Sequence, residues 1–569
     1  MSSGFYFNLI LFVSIIIIYS CVQHPVPDSR NDIDLSSIDS IAIRAKIQHE
    51  QDSSLLAFFL QENITDITRD GTGDVMNESL SSTAILPELY DSYAYQLLWA
   101  DSTDRSHAIM ALSDAEKDGL VPDDYHLNSI LELIDQDLSD FELKAGLDVL
   151  ITDGIILYGT HLLNGRTDPN TLEPTLKFEP RSFSADLLDS LRASLHTGDV
   201  QTIIGFLRPP SHYYSSMMLA LEKYKSLENS GGWHVVSISQ RKLEPSKSYP
   251  EIPSIRRRMK IEGDLLESED VEMKDSLRDS TIYDITLKGA IERFQSRHGL
   301  NPDGIIGRGT VQAMNISVQE KIDLLKINME RARWIHHDLD SNYVLVNIAG
   351  FDLRLVKGDT LCWTTKVMVG KIATATPVFK DDMQYIEINP FWTVPFSISN
   401  GEILPKLKKD RTYLKRNNMQ ILSMTGKEKV ASEIDFNDFE NEMPFIVRQG
   451  PGSNNSLGRI KFLFPNRFRV YLHDTPSKSL FAREERAFSH GCIRVENPFQ
   501  LATYLLHDQG ITSSYLDSVS TTGKNLRIDL ERTFPVLITY STAFADNDQV
   551  YFFRDVYNRD KPLREAMGL

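Results

Sequence analysis

Cysteine is scarce in this 569-residue chain, which has only Cys21, Cys362 and Cys492. Three thiols cannot build the disulfide framework of a small secreted domain. A bridge between Cys362 and Cys492 would disable the thiol whose neighbours most suggest chemistry, so no structural disulfide is expected. Basic charge is in deficit: 60 Lys and Arg face 79 Asp and Glu, a formal net charge of −19. This argues against nucleic acid as a partner and carries no information about fold. Long apolar runs are also missing. The strongest, residues 9–18, falls short of the roughly 20 apolar residues that a spanning helix needs, and no Lys or Arg precedes Cys21.

What remains is an ordinary globular composition, 41% hydrophobic and 24% charged. The length exceeds one core and predicts about three or four domains. Residues 1–21 read as a targeting segment. Ile18-Tyr19-Ser20-Cys21 resembles a degenerate bacterial lipobox, which makes Cys21 the candidate for lipidation and the N-terminus a membrane anchor. Residues 22–55 are polar, with Pro25 and Pro27, and read as a flexible tether.

The rest predicts a multidomain α+β chain. Residues 56–249 carry apolar positions at helical spacing. Pro122 before Asp123 and Asp124 suits a helix start, and residues 147–163 predict a long amphipathic helix stopped near Gly165. Residues 250–316 form a small helical module in which Leu287, Ile291 and Phe294 share one helix face, followed by a Pro302-Asp303-Gly304 turn. Residues 317–342 read as a connecting helix. From Tyr343 the period changes to that of strands, at 343–348, 352–356, 366–370, 385–389 and twice within 460–472. This predicts a mainly-β unit over 343–540. The pattern lapses at about 393–457, an insertion long enough to suggest function. Residues 541–569 read as a C-terminal tail. Cys362, in Leu361-Cys362-Trp363, is expected to be a buried core thiol.

The most informative residues lie in the β unit. Tyr471-Leu472-His473-Asp474 is followed by Ser489-His490-Gly491-Cys492-Ile493-Arg494-Val495. A thiol is a strong nucleophile only as thiolate, and a neighbouring imidazole is the usual way to make it one. Gly491 allows a backbone turn that presents the thiol and aims N–H groups of Gly491 and Cys492 at a developing oxyanion. Arg494 offers a fork for a carboxylate. Tyr471 and Trp392 are candidates for shaping a substrate groove, although core packing is the simpler role for each. Three potential ligands, His473, His490 and Cys492, do not have the spacing of a structural zinc site, and no metal or other cofactor is expected. A papain-like protease places its Cys before its His; the order here is reversed.

A His, a spacer of under about twenty residues, then Ser/Thr-His-Gly-Cys with an Arg two residues on resembles the active-site signature of the L,D-transpeptidases with a YkuD-type catalytic domain. Phe294-Gln295, His298-Gly299-Leu300, Asp303-Gly304, Gly307 and Thr310 resemble a peptidoglycan-binding type 1 domain. Residues 115–127 and Gly165-Arg166-Thr167-Asp168-Pro169 are similar to the helical scaffold of the long Gram-negative members. Ile403-Leu404-Pro405-Lys406 and Gln449-Gly450-Pro451-Gly452 are similar to the capping subdomain over the active site. The resemblance implies a sandwich-like sheet domain, Cys492 as nucleophile and His473 as base. It also implies a backbone carbonyl, rather than the Asp474 side chain, as the group orienting His473. His490 would support the site or polarise the carbonyl. The implied substrates are peptidoglycan stem peptides, joined 3→3 through a cysteine thioester with release of D-Ala. Hydrolysis at the same site, making an L,D-carboxypeptidase, is the alternative, and a non-enzymatic wall anchor is the rival from another class. The implied location is a Gram-negative periplasm, anchored to a membrane, where other wall-synthesis enzymes would be partners.

Overall fold

The computed structural model describes residues 35–70, 73–176, 178–182, 190, 191, 193, 194, 199–266 and 281–569. Cys21 and the proposed leader lie outside them. The helices that position the site are α1 (Leu35–Asp70), α2 (Phe141–Asn164), α3 (His212–Asn229), α4 (Ile252–Glu262), α5 (Ile285–Arg297) and α6 (Val318–Ile335). The first is a correction, because α1 begins inside the segment expected to be a flexible tether. Its C-terminal half buries Leu60, Ile64 and Ile67 in the scaffold core, while residues 44–50 face solvent. Helix growth is cooperative once a turn is held, so a packed end carries the polar residues along as a solvated face.

Helix α2 is not one-sided as expected; Ala145 to Ile156 are buried all round. It is apolar enough to cross a membrane, and the scaffold core encloses most of it instead. Its buried polar groups are satisfied: Asp148 accepts from the Trp99 N–H at 2.8 Å and from the Tyr90 hydroxyl at 2.7 Å.

Helix α6 is the spine between the parts. On the scaffold side, Glu330 accepts the Thr167 N–H at 2.7 Å and pairs with Arg333 at 2.7 Å. On the side of the helical module, Lys321 is fully buried and pairs with Glu262 of α4 at 2.5 Å. Residues 541–569 are a second correction. They form an antiparallel hairpin, Ala543–Asp546 with Gln549–Phe552, and a helix, Asp560–Met567, rather than a tail. Ala543, Ala545, Val550 and Phe552 share a core with Tyr214 of α3 and Leu325 of α6. A lone short hairpin gives little sequence signal because its stability comes from what it packs on.

The β unit is one nine-stranded sheet. Its strands are β1 (Tyr343–Asn347), β2 (Asp352–Lys357), β3 (Thr360–Gly370), β4 (Phe379–Ile388), β5 (Ile460–Leu463), β6 (Leu472–His473), β7 (Ala487–Ser489), β8 (Ile493–Val495) and β9 (Leu526–Thr539). They run in the order β7-β3-β8-β6-β5-β4-β9-β1-β2, and β2 also pairs with β3. The sheet therefore curls back on itself around Val346, Leu353, Ile386, Phe462 and Ile493, all fully buried. Cys362 is exposed, not core. Leu355 pairs with Trp363 and Val356 with Leu361, so Cys362 is the extra residue of a β-bulge, which breaks the alternation that would have turned it inward. The insertion between β4 and β5 has its own four-stranded sheet, built from Trp392–Thr393, Ile446–Gln449, Met419–Leu422 and Glu428–Lys429. Its small separate core includes Leu404, Leu407, Ile421 and Val447.

Candidate active site

Strands β6 and β8 are parallel neighbours, with Leu472 beside Ile493 and His473 beside Arg494. Strand side chains alternate faces. Leu472, Ile493 and Val495 point into the fully buried core. Tyr471, His473, Cys492 and Arg494 therefore share the opposite face, and the Ile493 N–H donates to the Tyr471 carbonyl at 3.1 Å. The same row continues across the sheet: His473 pairs with Lys461 on β5, Lys461 with Glu387 on β4, and Glu387 with Arg527 on β9. Lys461 Nζ sits 4.2 Å from the centre of the Tyr471 ring, and the Tyr471 and His473 rings are 5.7 Å apart.

The thiol is presented by a crossover. β7 and β8 flank β3, so His490, Gly491 and Cys492 cross the end of β3 at Gly370. Gly491 takes φ 111° there, a value that side chains disfavour. The turn is tied at both ends. The Gly491 N–H donates to Ser489 Oγ at 3.1 Å, Ser489 Oγ donates to the Cys492 carbonyl at 2.5 Å, and Thr376 Oγ1 donates to the Gly491 carbonyl at 2.8 Å. This corrects one expectation: the Gly491 N–H is already engaged. Of the two expected oxyanion donors, the Cys492 N–H remains.

Burial dominates the electrostatics. It lowers the His473 imidazole to about 3, helped by the Arg494 charge, so the ring is neutral through the physiological range. His473 is 4% exposed, and its Nδ1 is held by the Asp474 carbonyl at 2.5 Å, which leaves Nε2 as the proton acceptor. Burial also pushes the Cys492 thiol up. The Tyr471 N–H and hydroxyl, Lys461 and Arg494 pull it back only in part. At rest the site thus holds a neutral imidazole and a protonated thiol on one sheet face. Arg494 Nε is buried without a hydrogen-bond partner among the described residues, a donor waiting for an acceptor.

Comparison with known proteins places these parts. The family model described as "L,D-transpeptidase catalytic domain" matches residues 341–528. Residues 341–528 are thus similar to a YkuD-type L,D-transpeptidase catalytic domain. Residues 84–221 match a "Scaffold domain" and residues 268–314 a "Putative peptidoglycan binding domain". A Haemophilus influenzae protein named "Putative L,D-transpeptidase" is 34% identical over 242 residues, 42% of this chain and 49% of that one. The chain thus spans about half the length of this curated relative. L,D-transpeptidase structures from Xylanimonas cellulosilytica and Stackebrandtia nassauensis are each 13% identical and cover 53% of this chain. The first is covered over 100% of its own length and the second over 97%, with TM-scores of 0.18 and 0.20.

Around the thiol, the remaining expected residues separate. The Asp474 side chain accepts the Arg459 N–H at 2.9 Å and pairs with Lys478 at 2.7 Å, so it braces a neighbouring turn while its carbonyl orients His473. His490 Nε2 meets Glu402 of the insertion at 2.8 Å and so ties the thiol loop to the insertion. Trp392 pairs with Gln449 and packs against the core of the insertion. Four contributors had no assigned role from sequence: Lys461, Thr376, Ser489 and Arg469, whose carbonyl lies 3.8 Å from Cys492 Sγ. Ser489 lay within the signature itself. The other three reach the site through strand pairing or turns, which leave no local mark.

Proposed function

We propose that this chain is a murein L,D-transpeptidase that forms 3→3 cross-links through a thioester on Cys492. One observation carries the reading: Tyr471, His473, Cys492 and Arg494 share one sheet face, with the imidazole neutral and its Nδ1 already held. His473 Nε2 takes the thiol proton as the sulfur attacks the carbonyl between the third residue of a tetrapeptide stem and its terminal D-Ala. Because the thiol rests protonated, proton transfer and attack go together. The Cys492 N–H stabilises the oxyanion. The D-Ala amine leaves with the proton held on His473. The side-chain amine of a second stem then attacks the thioester. Arg494, with its unpartnered Nε, takes a stem carboxylate. Water in place of the second amine would give an L,D-carboxypeptidase, and the His490–Glu402 tie keeps the cap over the loop to limit this. We also place the chain in the periplasm, tethered through its N-terminal segment with Cys21 as the lipid attachment point.

Intact-mass spectrometry after incubation with disaccharide tetrapeptide tests the reading. Wild type should carry an adduct lacking D-Ala and yield dimer, and Cys492→Ala should do neither. Tripeptide without dimer would mean a carboxypeptidase. A folded, reduced wild-type protein with no adduct and no turnover would leave the wall-anchor reading.

A further inference from the structure

A cavity of about 780 Å³ lies where the scaffold meets the sheet domain, a size suited to binding a small ligand. Its polar wall combines Arg181 and Glu179 from the scaffold, Lys380 and Asp381 from β4, and Arg467 from the turn after β5. Phe178 and Phe468 supply an aromatic lining. Burial raises the Asp381 carboxyl.

Two observations connect this cavity to the thiol. The turn forming one wall runs on into Arg469, which has φ 56° and turns its carbonyl onto Cys492 Sγ. Asn466 closes the turn by accepting the N–H groups of Phe468 and Val470, both at 3.1 Å. The scaffold wall is fixed to the same elements. The Val378 N–H donates to Thr175 Oγ1 at 3.2 Å, and Arg467 donates to the Thr175 carbonyl at 3.0 Å. Scaffold, turn and thiol therefore hold one arrangement.

We infer that this cavity is the subsite for the acceptor stem peptide, so that the scaffold supplies part of the binding surface. The inference rests on the transpeptidase reading above. An acceptor stem carries carboxylates and one free amine. Arg181 donates to the Leu163 and Trp334 carbonyls at 3.1 and 3.4 Å, so Lys380 and Arg467 are the cations that match the carboxylates, and Glu179 and Asp381 match the amine-bearing end. From this side the amine nitrogen bonds to the thioester carbonyl carbon as the C–S bond breaks. The proton that the amine loses passes through His473 to the Cys492 sulfur, which restores the thiol.

Disaccharide tripeptide has no D-Ala to release and can act only as acceptor. Its affinity for full-length Cys492→Ala protein is measured with and without Lys380→Glu. In parallel, the dimer-to-tripeptide product ratio from tetrapeptide is compared between wild type, Lys380→Glu and the milder Arg467→Gln. The expected result is a tenfold or larger fall in both tripeptide affinity and product ratio for Lys380→Glu, and a smaller fall for Arg467→Gln. Unchanged affinity and ratio would overturn the acceptor assignment and leave the transpeptidase reading standing. Thioester formation slowed as much as dimer formation would also overturn it, because the loss would not be specific to the acceptor. A wild-type protein that forms no thioester would remove both readings.

Discussion

The ionisation of Cys492 is open to direct measurement. Its ordinary value is 9.0, and burial raises it despite Tyr471, Lys461 and Arg494. A thiol at its ordinary value is about 1% thiolate at pH 7, and a raised one is less. Alkylation by iodoacetamide tracks thiolate, so its rate should climb about tenfold per pH unit and about a hundredfold from pH 6 to 8. No imidazolium is available to change this, because His473 does not take a proton until about pH 3. Removing a cation raises the thiol further. Lys461→Met should slow alkylation at pH 7 by roughly three- to tenfold, the effect of half to one unit from a nearby charge. The assay is intact-mass kinetics in a Cys362→Ser background, since Cys362 is exposed and would react first. A rate flat between pH 5 and 8 would show a preformed thiolate–imidazolium pair and refute this account of the resting site.

Three other outcomes follow from the same structure. Glu402→Gln should loosen the cap. The tie involves side chains 36% and 46% exposed, so stability should move by less than about 1 kcal/mol, while hydrogen exchange in residues 399–403 and the share of hydrolysis product should rise. Glu262→Gln removes the carboxylate that faces buried Lys321, Arg258 and Arg297; it should cost about 3–5 kcal/mol in denaturant unfolding, and adding Lys321→Met should recover only the share due to that ammonium, because Arg258 stays buried without its carboxylate. His336 and His473 are held neutral by burial, at about 4 and about 3. The unfolded chain therefore binds protons that the folded one does not, and stability falls as pH drops below about 6.5. At pH 4.5 each site should cost roughly 2–3 kcal/mol, seen as a lower melting temperature; His161, lowered by burial to about 4, and His298, lowered as well, add to the loss, so His336→Phe should remove only its own share.

How much was legible depended on whether the signal was local. Cys492, His473 and Arg494 could be read because a strand period of two and a short spacer put them on one face. The strand runs from Tyr343 to Ile388 could be read for the same reason. Lys461 could not, because its place beside His473 is set by the register of β5 against β6, and nothing in its flanking residues encodes a partner. Cys362 was misplaced by a single extra residue in β3. Trp392 packs against the separate core of the insertion, the simpler of the two roles its sequence position offered. The helix α1 was hidden by polar composition, which describes a solvated helical face as well as it describes a tether.

The C-terminal segment shows why the nucleophile could be named while its support could not. Tyr557 donates its hydroxyl to the Gly370 carbonyl at 2.5 Å and accepts the Thr376 N–H at 3.2 Å. Thr376 in turn holds the Gly491 carbonyl. Gly370 has no room for a side chain, since a Cβ there would lie 2.1 Å from the Thr374 carbonyl, so the crossover of residues 490–492 rests on a tightly folded backbone turn. The φ of 111° at Gly491 is thus fixed from a residue that reads, in isolation, as part of a trailing end. The same segment packs on α3 and α6 through its hairpin. The scaffold, the spine helix and the thiol loop consequently converge on residues 541–569. The catalytic signature identifies the chemistry, but the strained conformation that the chemistry requires is maintained by packing that comes from the far end of the chain.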